Sequence, residues 1–188
     1  IAGVVSSCHI GNTVSLEKNA TVENLAMSST TSKITGFEIE TSIVYYIPRG
    51  FEKFIPNVSY IKIYSSRLKE IHMEDLAPFP DLKELQLPTN NIQVLEKDLF
   101  KFNPKLKTVN LYKNHIQHVD PKVFESLSNL ESINYKMNPC VIEHKQQISH
   151  LPYFTLQRSD VQADIAKFIQ KCPPRKDSSS DFKKSDEP

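Results

Sequence analysis

The chain is expected to fold as an α/β solenoid of about five 24-residue repeats. Their short strands would form one parallel, concave sheet, closed by an N-terminal strand cap and by a C-terminal cap of disulfide and helix. Three observations predict this. Stretches beginning at Ile34, Val58, Leu82, Leu106 and Leu130 superpose at a fixed 24-residue step. The pattern Leu106, Val109, Leu111, Asn114, Ile116, Val119, Phe124, Leu127 repeats the preceding Leu82, Leu85, Leu87, Asn90, Ile92, Leu95, Phe100. Cys140 and Cys172 flank the segment after the last copy. Residues 1–33 then form the first cap, 34–138 the repeats, 139–173 the second cap, and 174–188 a disordered tail.

Each repeat needs a strand whose alternate residues enter a shared core. The inward pairs are Phe37/Ile39, Ile61/Ile63, Leu85/Leu87, Val109/Leu111 and Ile133/Tyr135. A second apolar set, Val44/Ile47, Leu68/Ile71, Ile92/Leu95 and Ile116/Val119, belongs to the returning segments on the convex side. Asp98, Pro104 and Pro121 favour short turns there over long helices. Just after each strand stands Asn90, Asn114 or Asn138, replaced by Ser42 and Ser66 in the first two copies. An asparagine amide both donates and accepts, so it satisfies backbone groups where the strand turns away. Leaving such a buried group unpaired costs about 1–3 kcal/mol. The serine-bearing N-terminal half is therefore expected to be looser.

The ends differ from the repeats. Residues 8–33, with Val14/Leu16 and Val22/Leu25/Met27, read as an irregular strand pair capping the first repeat, whose core face would otherwise meet water. The opening Ile1–Ser7 is either a first strand or what remains beyond a cleaved secretory signal. Ser159–Lys171 reads as a helix, with Ser159 and Gln162 as a capping box and Val161, Ile165, Phe168 and Ile169 on one face. Cysteines placed at the end of a repeat array point to a Cys140–Cys172 staple and an oxidising compartment. Cys8 is the odd one out: buried and inert, bonded to a residue upstream of this sequence, or bonded to a second chain.

Composition narrows the function classes. The 188 residues suffice for one domain with a continuous core, and a mean hydropathy of −0.39 suits an elongated soluble protein. The formal net charge of +1 gives no global pull toward nucleic acid or an acidic membrane surface. No apolar run approaches about 18 residues, so no membrane span is expected. No enzymatic activity, cofactor or metal is expected either. His115-x-x-His118 is the close histidine pair, and it falls on a loop after a strand, unlike a helical zincin motif. The chain has four glycines and no phosphate-cradling loop, and no serine sits in a nucleophile elbow.

Binding chemistry is expected on the concave sheet. Its outward columns contain Tyr60, Lys62, Tyr64, Glu84, Gln86, Asn110, Tyr112, Lys113 and Lys136, the candidate partner-binding residues. Tyrosines are large and amphipathic, a type enriched among interface anchors. Acidic residues come early (Glu38, Glu40) and basic ones late (Lys113, Lys136), so a partner meets a graded field. The competing reading is a solvated sheet face, because tyrosine also favours strands for packing reasons alone. Sequons at Asn19 and Asn57 are candidate glycosylation sites, Asn57 beside Tyr60.

Asp98-Leu99-Phe100-Lys101-Phe102-Asn103-Pro104-Lys105-Leu106-Lys107 and the terminator Asn138-Pro139-Cys140-Val141 give the chain a family likeness. It resembles secreted leucine-rich repeat proteins, especially the short extracellular ones of flies, midges and mosquitoes, over roughly residues 8–173. The resemblance implies an extracellular module that recognises a protein ligand, with roles in immunity or adhesion. The N-terminal cap departs from the usual cysteine-paired form, having Cys8 alone, and Cys140 follows Pro139 without the tryptophan common in C-terminal caps. The alternatives are a structural component dimerising through Cys8, with itself or another chain, and a fragment of a receptor ectodomain.

Overall fold

The computed structural model describes residues 7–10, 14–15, 18, 20–21, 34–141 and 160–175. Five short strands recur at the predicted step: β3 (Gly36–Glu40), β5 (Tyr60–Tyr64), β6 (Glu84–Gln86), β8 (Thr108–Asn110) and β10 (Ser132–Asn134). Each pairs in parallel with its neighbour in the register Gly36↔Tyr60↔Glu84↔Thr108↔Ser132. Parallel neighbours need a crossover, and each 24-residue turn of the solenoid supplies one. β1 (Ser7–Ile10) adds a sixth strand beside β3, with Cys8 level with Phe37. That step is 29 residues, longer than a repeat, which is why the 24-residue alignment does not reach it.

Of the residues named for the expected N-terminal strand pair, only Val14 falls within the described residues, in a short strand, β2 (Val14–Ser15). β1 and β2 do not pair with each other. β1 extends the main sheet, and β2 pairs with β4 (Ile43–Val44) on the return side. Leu16, Val22, Leu25, Met27 and Asn19 lie outside the described residues, as does the tail beyond Arg175. A second return-side pair joins β7 (Val94–Leu95) to β9 (His118–Val119).

The predicted inward residues from Phe37 through Leu111 are buried, as are the return residues from Val44 through Val119. The returns contain only brief helical turns, a 3-10 turn at Phe51–Lys53 and α1 (Met73–Leu76). Aromatic rings set the outer margin of the core: Phe37 stacks on Phe51 at 4.1 Å, and Phe100 on Phe124 at 5.8 Å.

The asparagine ladder has the predicted role. Asn90 Nδ2 donates to the Ile63, Leu87 and Pro88 carbonyls, and its Oδ1 accepts from the Ser66 and Leu68 amides. Asn114 donates to Leu87 and Leu111 and accepts from the Ile92 amide; Asn138 donates to Leu111 and Tyr135 and accepts from Ile116. Ser66 reaches less well. Its hydroxyl donates to Tyr64 O at 2.8 Å but lies 3.4 Å from Ile39 O and 3.4 Å from the Ser42 amide. The Ser42 hydroxyl donates to Glu40 O at 3.0 Å, within its own turn. The Ser66 junction is thus longer than those the asparagines make.

One backbone feature was invisible in the composition of the repeats. The residue just before each ladder position, Thr41, Ser65, Thr89, Lys113 and Met137, has positive φ, from 49° to 61°. This left-handed turn aims the next side chain into the ladder, yet none of these residues is glycine.

The C-terminal cap closes the last turn. α2 runs Val161–Lys171, and its N-cap is Asp160, whose carboxylate accepts from the Gln162 and Ala163 amides. This corrects the expected start at Ser159, which lies outside the described residues. Asp160 outcompetes it because a carboxylate also meets the positive end of the helix dipole. Phe168 is fully buried and stacks on Tyr135 at 4.4 Å. The Cys140–Cys172 disulfide is formed as expected, with Cα atoms 5.2 Å apart. The Cys172 carbonyl accepts from the Val119 amide, and His118 Nδ1 sits 3.0 Å from Pro173 O.

Candidate protein-binding surface

The concave sheet brings most of the candidate residues onto one face, but not in equivalent states. At its N-terminal end Tyr60 lies across Gly36. A Cβ on Gly36 would stand 2.5 Å from Tyr60 O and 2.8 Å from Tyr60 Cβ, so only glycine permits this packing. Half-buried, Tyr60 has its phenol pKa pushed well above the usual range, first by burial and then by Glu38, Glu84 and Glu40. Lys62 is held between Glu38, at 3.5 Å, and Glu40, in closer contact. Burial opposes its charge, but the bonds to Glu40 and Glu38 outweigh it and its pKa is raised. Lys62 is therefore already engaged inside the sheet, and this end of the face is anionic.

The centre is a hydrogen-bonded floor. Asn110 Nδ2 donates to Gln86 Oε1 at 2.8 Å, and Gln86 Nε2 donates to Glu84 Oε1 at 2.8 Å. Gln86 is only 8% exposed, so among the candidates it supports its neighbours more than it meets a partner. Asn110 Oδ1 also accepts from the Tyr112 amide at 3.0 Å, which orients the start of the next turn.

Tyr64, Pro88 and Tyr112 occupy one column on three consecutive repeats. Both tyrosines are half-buried, and Pro88 is buried. Strand spacing places the tyrosines about 10 Å apart. The same column begins with Glu40 and ends with Lys136.

At the C-terminal end Lys113 and Lys136 are exposed, and the Lys113 amide donates to Lys136 O at 2.9 Å. Their backbone is thus coupled while their ammonium groups face solvent. Asn57 is exposed in the turn before β5, on the approach to Tyr60. His115 is exposed, and His118 is engaged with the C-terminal cap. Among the described residues no three His, Cys, Asp or Glu side chains gather as a metal site, and no helix is long and apolar enough to cross a membrane.

Residues 80–139 match the family model described as leucine rich repeat. No curated protein matches the chain. Among solved structures, it is similar to a chain of the TLR13-ssRNA13 complex, with 20% identity and a TM-score of 0.52 over 56% of this chain. It spans only 15% of that partner in the comparison. A chain of the Drosophila melanogaster SNF/U2A' complex matches at 18% identity over 71% of this chain and 59% of that one, with a TM-score of 0.35. The repeated strand register, the ladder after each strand and the matched family segment together make the described fold a leucine-rich repeat solenoid.

Proposed function

We propose that the chain is an extracellular, non-enzymatic recognition module that binds a protein partner on its concave sheet. The row Tyr64–Pro88–Tyr112 carries this reading. It offers two half-exposed tyrosines and a buried proline, with a carboxylate at one end of the column and an ammonium at the other. Aromatic anchors beside a polar surround are the usual source of binding energy at protein interfaces. Curved solenoids present such faces over many repeats.

The Cys140–Cys172 staple supports the extracellular location, since structural disulfides persist in oxidising compartments. Work in immunity or adhesion is part of this reading and rests on the resemblance of the repeat and terminator motifs alone. The test is affinity for a partner retained from the native fluid. Tyr64→Ala combined with Tyr112→Ala is expected to weaken binding by about tenfold or more with little change in Tm. Unchanged affinity sinks the concave-face reading.

A second reading, covalent assembly through Cys8, has its own support. The other two cysteines are bonded to each other, and Cys8 sits on β1 at the end of the sheet. A dimer band that collapses on reduction favours assembly; a monomer on a non-reducing gel favours the binding module alone.

A further inference from the structure

His72 lies away from the concave face, where three turns of the chain meet. Its Nε2 is 2.9 Å from Glu70 Oε2, and its Nδ1 is 3.3 Å from Glu96 Oε2. Glu96 occupies in the third repeat the position that His72 occupies in the second, 24 residues on. Glu70 Oε2 also accepts from Lys18 Nζ at 3.1 Å. The Arg49 amide donates to Ala20 O at 2.8 Å.

The chemistry of imidazole decides what this arrangement requires. A neutral ring has one N–H and one lone pair, so it can donate to only one of two carboxylates. The other carboxylate would then face a lone pair. Only the imidazolium, with both nitrogens protonated, donates to Glu70 and Glu96 together. We propose that His72 is a proton-operated clasp that joins the second and third repeats and, through Glu70, holds Lys18 against them. The clasp sits beside the serine-bearing junctions, where the ladder is weakest.

Among the described residues, the other charged groups near His72 are Asp75, Arg49 and Glu74. Asp75 accepts from the His72 backbone amide at 2.9 Å and lies 4.0 Å from the Arg49 guanidinium. Its pKa is raised, chiefly by burial, with Glu74 adding to the rise while His72 and Arg49 oppose it. For His72, burial and the Lys18 charge oppose protonation, but the bonds to Glu70 and Glu96 prevail and its pKa is raised above 6.5. Glu70 moves the other way, held low first by its bond from His72 and then by Lys18.

The sign follows from these directions. The histidine's contribution is complete below 6.5 and is lost as pH rises through its higher folded value. The Glu70 contribution is present above 4.5 and is lost as pH falls through its lower folded value. The clasp is therefore closed between the two and opens toward alkaline pH.

The test compares the whole chain with His72→Gln and Glu96→Gln by thermal unfolding, with nuclear magnetic resonance titration of the His72 ring. At about pH 5.5 the native chain should melt about 2–4 °C above His72→Gln, and at about pH 8 the gap should close. Glu96→Gln should lower the His72 titration midpoint, a readout that a purely structural side chain would not move. An equal gap in Tm at both pH values, or a midpoint unmoved by Glu96→Gln, overturns the proposal.

Discussion

Asn114 Nδ2 donates to Leu87 O at 2.8 Å across 27 residues of chain, so one amide fastens each turn to the one before it. The equivalent Ser66 stands 3.4 Å from Ile39 O, also 27 residues back. The two junctions differ by the length of one side chain.

Lengthening the short one should strengthen it. Ser66→Asn is expected to raise stability by about 1 kcal/mol, and Asn114→Ala to lower it by about 2–3 kcal/mol, because the deletion leaves buried carbonyls unpaired. Urea unfolding of each variant checks the contrast. A loss on introducing asparagine at 66 would show that the serine turn is packed too closely to accept it.

Thr89 combines two unfavourable features. It holds a β-branched side chain at φ 58°, and its Oγ1 is buried without a hydrogen-bond partner. Thr89→Gly should therefore stabilise by about 1 kcal/mol, the relief of strain and of the orphaned hydroxyl outweighing the entropy of glycine in the unfolded chain. A lower denaturation midpoint for the variant would argue against strain there.

Reduction of Cys140–Cys172 opens a constraint of sequence separation 32. The chain-entropy model assigns it about 3–4 kcal/mol. Amides of Val161–Lys171 should then exchange with solvent far faster than those of β8, since α2 loses its covalent tie while the sheet keeps its ladder. Equal acceleration in both would mean that the cap and the repeats unfold as one unit.

The repeats were legible because their core is periodic. Apolar residues at fixed offsets predicted the strand of each turn, and the alignment of Gly36 with Ser132 through the intervening strands follows that step. Cys140 and Cys172 were legible for a similar reason, since they bracket the point where the period stops. The left-handed residues were not, because Thr41, Thr89 and Met137 carry no local preference for positive φ. Their conformation is imposed by the strand before and the ladder after. Likewise, alternation correctly turned Lys62 and Gln86 away from the core, but it carries no information about Glu40 or Asn110 in the neighbouring turn. Such cross-strand capture emerges only when turns stack. β1 escaped alignment because its step to β3 is 29 residues.

The uneven ladder has a mechanical meaning. A protein whose turns touch only their neighbours behaves under tension as links in series, and it parts first where the weakest link lies. With serine at 42 and 66 and asparagine at 90, 114 and 138, that place is the N-terminal end. Pulled from its two ends, the chain should peel open there while the stapled far end remains coiled.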